Sequence, residues 1–282
     1  MMKRLLRWFG MAVVGLLAIA LLALATAYLV SERIRQRQLS VPTATVPVPT
    51  DPASIEEGRR LAVVRGCFNG CHGKEAEGVV MFDEPLIACV LAPNLTESVR
   101  KYSDAELTAI IRSGVRPDGR STMVMPAEAF NTITDADLGR TIAFLRSLPA
   151  VEGPGPGLRL GPLGRIGLAT GQFKMTVQQL AEVVPPPDGH GEAAITGRYR
   201  ARTICAQCHG TSLRGYSTPD FTGPSLQLVN AYPEDAFSQL LKTGVALGGR
   251  SLETMGPWSR RNLSKLTDQE IAALYSYLHT LS

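Results

Sequence analysis

The apolar positions of this chain follow two patterns. From Phe9 to Val30 there are 22 consecutive residues without a charge. At a helical rise of about 1.5 Å per residue, roughly 20 such residues cross the hydrocarbon core of a bilayer. The run lacks an amphipathic period, which argues against a helix on the surface of a folded domain. Further along, the period becomes helical. Ser103 stands as an N-cap before Asp104 and Glu106; Leu107, Ile110 and Ile111 share one face, and Gly114 ends the element. Thr134 caps a later helix with Leu138, Ile142 and Leu145 inward, and Thr267 does the same for Ile271, Leu274, Tyr275 and Leu278. Alternating runs of β-branched residues are absent, so the expected fold class is all-α.

Breaker residues divide these segments. Residues 41–53, VPTATVPVPTDPA, read as a semi-extended Pro/Thr tether. From Pro149 to about Gly191 the chain carries GPGPG, GPLG and PPPDG, too much Pro and Gly for long regular elements. Leu158, Leu160, Leu163, Ile166, Leu168 and Phe173 give this stretch something to pack with, so it reads as an ordered strap. The expected organisation is a membrane segment (1–38), a linker (39–53), a domain (54–150), the strap (151–191) and a second domain (192–282).

The two domain-sized segments repeat each other. Glu57-Gly58-Arg59 leading to Cys71-His72-Gly73 is answered by Thr196-Gly197-Arg198 leading to Cys208-His209-Gly210. Ala92-Pro93-Asn94-Leu95 is answered by Gly223-Pro224-Ser225-Leu226. Tyr102 to Val115 matches Tyr232 to Val245 at a constant offset of 130, and that offset also pairs Met125 with Met255.

Charge separates the N-terminus from the rest. Residues 1–39 hold six of the 29 basic and one of the 25 acidic residues, leaving 23 and 24, a formal −1, for residues 40–282. A near-neutral body does not call for nucleic acid. Lys3, Arg4 and Arg7 precede the apolar run and Arg33, Arg35 and Arg37 follow it, so charge alone does not orient it. A retained anchor fits the length of the run; a signal peptide cleaved after Ala25-Thr26-Ala27 is the competing reading, and both export the chain.

Four of the five cysteines form two close pairs, each followed at once by histidine. Cys205-Ala206-Gln207-Cys208-His209 is a C-x-x-C-H haem-attachment sequence. Two thiols one helical turn apart can add to the two vinyl groups of one haem, and the adjacent histidine then meets the iron. Zinc would need four ligands close together, and a dithiol redox motif a βαβ setting. Cys67-Phe68-Asn69-Gly70-Cys71-His72 has one more intervening residue, but it stands at the equivalent point of the repeat, so the extra residue is expected to bulge the loop. Attachment through both Cys67 and Cys71 competes with a single thioether at Cys71 and a Cys67–Cys89 disulfide, which export permits. The repeat selects Met125 and Met255 as sulfur ligands opposite His72 and His209, with Met123 as the alternative in the first loop; core filling is the competing role for each. Pro93 and Pro224 follow the histidines by 21 and 15 residues. Their carbonyls could accept from the imidazole Nδ1–H and set its orientation, or the prolines could simply form turns. His190 and His279 read as surface residues. Histidine and methionine together close the iron, so the chain is expected to carry electrons and not to be an enzyme.

These residues resemble class I cytochrome c domains over roughly 54–150 and 192–282. Ala92-Pro93-Asn94-Leu95-Thr96, Gly114-Val115-x-Pro117-Asp118-Gly119-Arg120 and Met125-Pro126 are similar to the cytochrome c subunits of bacterial membrane-bound dehydrogenases. The resemblance implies two tandem class I domains behind a transmembrane helix and two covalently bound haem c groups. Their axial pairs would be His72/Met125 and His209/Met255, and their attachment points Cys67/Cys71 and Cys205/Cys208. It implies single-electron transfer on the periplasmic side of a bacterial inner membrane, from a dehydrogenase or quinol-oxidising complex to a cytochrome, oxidase or reaction centre. That family commonly carries three such motifs and this chain has two. A dihaem enzyme of peroxidase or thiosulfate-oxidising type is the alternative.

Overall fold

The computed structural model describes residues 1–155, 157–188, 191–218 and 221–281. His190 therefore lies outside the described residues. The apolar run forms one long helix, α1 (Met2–Arg35), long and apolar enough to cross a membrane.

The first unit begins with α2 (Pro52–Val64), which has Asp51 as N-cap and Pro52 in its first turn. A hairpin of β1 (Val79–Glu84) and β2 (Ala88–Ala92) follows, then α3 (Leu95–Lys101), α4 (Asp104–Ser113), the short α5 (Ala127–Phe130) and α6 (Asp135–Ser147). Ser103 and Glu106 close a capping box on α4, and Gly114 ends it in the left-handed region. The strap contributes β3 (Gly157–Leu160), α7 (Pro162–Ala169) and α8 (Thr176–Ala181). In the second unit come α9 (Glu192–Arg200), α10 (Ala206–His209), β4 (Tyr216–Thr218), β5 (Phe221–Gly223) and α11 (Glu234–Thr243). A two-residue pair, β6 (Val245–Ala246) with β7 (Arg250–Ser251), precedes α12 (Met255–Arg261) and α13 (Asp268–Leu278).

The all-α expectation needs correction. Helices dominate, but β2 pairs antiparallel with both β1 and β3, and β4 pairs with β5. The strands run for two to six residues, too short for a period-two signature to stand out. The strap is ordered, yet through regular elements: β3 extends the hairpin, and Pro162 starts α7 at the position where proline is tolerated.

In each unit the first and last helices cross in contact, α2 on α6 and α9 on α13. The repeated glycine makes the crossing possible. A Cβ on Gly58 would fall 1.9 Å from the carbonyl oxygen of Arg140, and one on Gly197 2.0 Å from that of Ala273. One continuous core joins the units, with Leu138, Ile142, Leu274 and Tyr277 at its centre.

Candidate haem sites

Each cysteine pair begins where the first helix of its unit ends. In the second unit the chain leaves α9 through a π-helical segment (Ala201–Cys205) into α10, so Cys205 and Cys208 sit one turn apart. In the first unit the extra residue is absorbed differently. Cys67–Cys71 is itself a π turn, with Cys71 N donating to Gly66 O and His72 N to Cys67 O, both at 3.2 Å. A π turn holds one more residue than an α turn, so the longer spacing still returns the second cysteine and the histidine to the helix face. The bulge expected from the sequence is this turn. All four thiols are half-buried, and Cys89 lies buried in β2; among the described residues no cysteine is joined to another.

The two histidines are held alike. His72 Nδ1 lies 2.9 Å from Pro93 O, and His209 Nδ1 lies 2.7 Å from Pro224 O. Donation from Nδ1–H to a carbonyl fixes the tautomer and leaves Nε2 with its lone pair free for a metal. The residue after each proline locks the carbonyl in place. Asn94 caps α3 by accepting from Thr96 N at 2.9 Å, and its own amide donates to Val151 O at 2.7 Å. Ser225 caps the 3₁₀ turn Leu226–Ala231 through Gln227 N. The loops after each histidine also match. Ala76 and Leu213, each four residues on, are the two non-glycine residues with positive φ among those described, and their carbonyls accept from Leu95 N and Leu226 N. Burial pushes both imidazoles down from their ordinary pKa, so each pocket presents the neutral, ligating form.

Burial moves the thiols up. Cys67 is raised to about 11 and Cys205 to about 12, chiefly by desolvation. Such thiols disfavour the thiolate that zinc or dithiol exchange needs. Among the described residues no three His, Cys, Asp or Glu side chains gather to hold an ion. Cys71 is raised by burial first and then by the proximity of Cys208 in the other unit.

Met125 and Met255 are half-buried against the main core, whereas Met123 packs on a separate cluster with Ala88, Leu160, Leu168 and Met175. The strap reaches the Met125 loop directly. Thr176, fully buried, donates from its hydroxyl to Met125 O at 3.1 Å and from its backbone to Thr122 O at 3.0 Å, while Val177 N donates to Ser121 Oγ. Sequence reasoning missed Thr176, because its partners lie some fifty residues away and no motif surrounds it.

It also missed the contact between the two cysteine loops. Gln207, between Cys205 and Cys208, donates its amide to Arg65 O at 3.2 Å. The Trp258 ring lies on Gly66 and Gly70, where a Cβ would come within 2.2 and 3.0 Å of it. Around them runs an ion network. Asp137 takes Arg65 at 2.8 Å, Arg200 at 3.0 Å and the Tyr199 hydroxyl at 2.8 Å; Glu270 takes Arg60 at 2.7 Å and Arg200 at 2.8 Å. Asp137 and Glu270 are the same position of the repeat, so each closing helix offers its third-residue acid to an arginine of the other unit.

The donor set fits a haem. Beside the thiols, oriented imidazoles and thioethers, several buried donors have no partner in the protein: Nε and Nη1 of Arg65, two residues before Cys67, and Ser259 and Asn262 in the segment that follows Met255. Propionate oxygens have the chemistry to satisfy them.

Two thiols, a fixed imidazole and a later thioether, built twice, define a c-type haem protein. The cytochrome c family model matches residues 55–149 and 197–282, and the chain belongs to that family. A similar protein is the fructose dehydrogenase cytochrome subunit of Gluconobacter japonicus, 23% identical over 267 residues, covering 83% of this chain. The chain spans 55% of that relative's length.

Proposed function

We propose that this chain is a membrane-anchored, dihaem electron carrier. It takes single electrons from a dehydrogenase or a quinol-oxidising complex and passes them to a cytochrome, an oxidase or a reaction centre on the periplasmic side of the bacterial inner membrane. Cys67, Cys71, His72 and Met125 would hold one haem c; Cys205, Cys208, His209 and Met255 the other. Each iron, when bound, supplies a one-electron ferric/ferrous couple. The protein residues orient the imidazole through the Pro93 and Pro224 carbonyls, and Met125 and Met255 would supply the second ligand as a thioether. With histidine and methionine both ligating, the iron would have no position for a substrate, which favours the carrier over a peroxidase or thiosulfate-oxidising enzyme. The similarity to a dehydrogenase cytochrome subunit supports a dehydrogenase as donor.

The observation that carries this reading is the pair of matched His–Pro contacts, His72 to Pro93 and His209 to Pro224. Inter-unit contact through Gln207 and Trp258 brings the two attachment loops together, which suits transfer between the haems. Two measurements test it on protein made in a haem-ligating host. The reduced polypeptide should weigh the chain plus two haems. The oxidised spectrum should carry the methionine–iron charge-transfer band for both irons, without carbon monoxide binding to the reduced form. A mass equal to the bare chain would remove the proposal.

A further inference from the structure

We infer that the strap helix α7 and the β1–β2 turn form a second membrane contact, seated in the outer leaflet of a phospholipid bilayer beside α1. This rests on α1 being a retained anchor.

The uncharged run of α1 ends at Val30, which puts the water boundary of the bilayer close to Tyr28–Glu32. That is the level at which α7 is fastened. Arg165 pairs with Glu32 at 2.6 Å, donates to Ser31 Oγ at 3.3 Å, and stacks its guanidinium 4.9 Å from the centre of the Tyr28 ring. α7 packs along α1. On α1, Leu24, Ala27, Ser31 and Ile34 make one stripe at helical spacing, and all four are partly or fully covered, as are Val30, Glu32 and Arg35 near the end of the helix, while Ala25, Thr26, Tyr28, Leu29 and Arg33 are open. The cover extends to Leu24, inside the uncharged run.

The outer face of α7 is apolar. Arg165 is its single charge and is turned to α1, while Leu163 and Ile166 are 53% and 39% exposed. The hairpin turn is joined to the same place, with Leu163 N donating to Leu86 O and Gly161 N to Ile87 O, both at 2.9 Å; Leu86 is 63% exposed. The Phe173 ring packs against Gly167 and is 40% exposed. Four large exposed apolar side chains thus lie on α7 and on the segments bonded to or packed against it, and α7 itself packs on α1. Charges bound the patch: Asp83 and Glu84 on β1, Arg159 on β3 and Lys174 directly after Phe173. A helix lying in the interface plane with its apolar face toward the acyl chains is the form such a contact takes; here the one cation of α7, Arg165, is used on α1. Lipid is the occupant favoured here because the face continues the lipid-facing surface of α1.

The full-length holoprotein in nanodiscs containing a phospholipid with a photoreactive group high on its acyl chain tests this, with crosslinks mapped by mass spectrometry. Labelling is expected on α1 and within residues 85–87 and 161–173, and not on residues 230–281. In L163E/I166E the strap labelling should fall several-fold while α1 labelling persists. Labelling of α1 alone overturns the inference and spares the anchor, whether water or a second copy covers the face; sedimentation separates those two. No labelling of α1 overturns the anchor itself.

Discussion

The indole of Trp258, three residues after Met255, lies directly on the backbone of Gly66, one residue before Cys67. Gly66 has φ +76° and no room for a side chain: a Cβ would stand 2.2 Å from the ring. Gly66→Ala should therefore cost about 1 kcal/mol for the left-handed backbone and a further 1–3 kcal/mol for the overlap. Trp258→Ala should also destabilise, by leaving a cavity between the units. The two costs share one contact, so in the double variant the second should fall well short of its single value. Urea unfolding of the four proteins measures this; strictly additive costs would show that the ring does not bear on Gly66 in solution.

Asp137 joins the units through charge. Its carboxylate is 10% exposed and its partner Arg65 only 2%. Burial opposes ionisation of Asp137, yet Arg65, Tyr199 and Arg200 outweigh it and hold the carboxyl below its ordinary pKa. Glu270 is lowered in the same way, against burial, by Arg60, the Thr267 backbone and Arg200. A depressed folded pKa means that the unfolded chain binds the proton more tightly. The stabilisation is fully present above the ordinary carboxylate range, about pH 4, and is lost as pH falls through the lower folded values. Asp137→Asn should cost about 3 kcal/mol, since the buried Arg65 loses its counter-charge, while Arg200 keeps Glu270 at 2.8 Å. It should also flatten the acid limb of a stability-against-pH curve. An unchanged acid limb would contradict the network's role.

The candidate site could be read from the sequence where its residues are local. The cysteine pairs and histidines are contiguous, the repeat pointed to Met125 and Met255, and Pro93 and Pro224 lie at the ends of short loops. The helices were legible too, because capping residues such as Ser103 and Thr267 mark their starts. Other features depend on partners far apart in sequence. β2 is a strand because β1 and β3 lie on both sides of it, not because ACVLA alternates. The π turn at Cys67 is set by how α2 delivers the chain. Thr176 and Trp258 act across the fold, and a lone threonine or tryptophan carries no mark of that in its neighbours.

Thr176 offers a direct test of the strap. Thr176→Val keeps the shape and the backbone bond to Thr122 O but removes the hydroxyl that donates to Met125 O. The loss should be about 1 kcal/mol, since Met125 O keeps its bond from Ala127 N at 2.8 Å. Because the bond holds the Met125 loop, the methionine–iron band of the first haem should fade at a lower temperature than in the parent, while that of the second is unmoved. Equal fading of both bands would mean general destabilisation in place of a local tether.

The choice between the two methionines of the first loop follows from where each packs. Met125 meets the core that also holds Phe68 and Cys67, whereas Met123 faces β2 and the strap. If Cys67, Cys71 and His72 hold a haem, a sulfur packed in the separate cluster would have to leave it to serve that iron, whereas Met125, already on the main core, would not. Met125→Leu is nearly isosteric and should cost less than about 1.5 kcal/mol in packing. It should nevertheless abolish one of the two methionine–iron bands, lower the potential of that haem and open it to carbon monoxide when reduced. Met123→Leu should leave both bands and both potentials in place. Titration of the two variants beside the parent distinguishes them, and loss of the band in Met123→Leu alone would reverse the assignment.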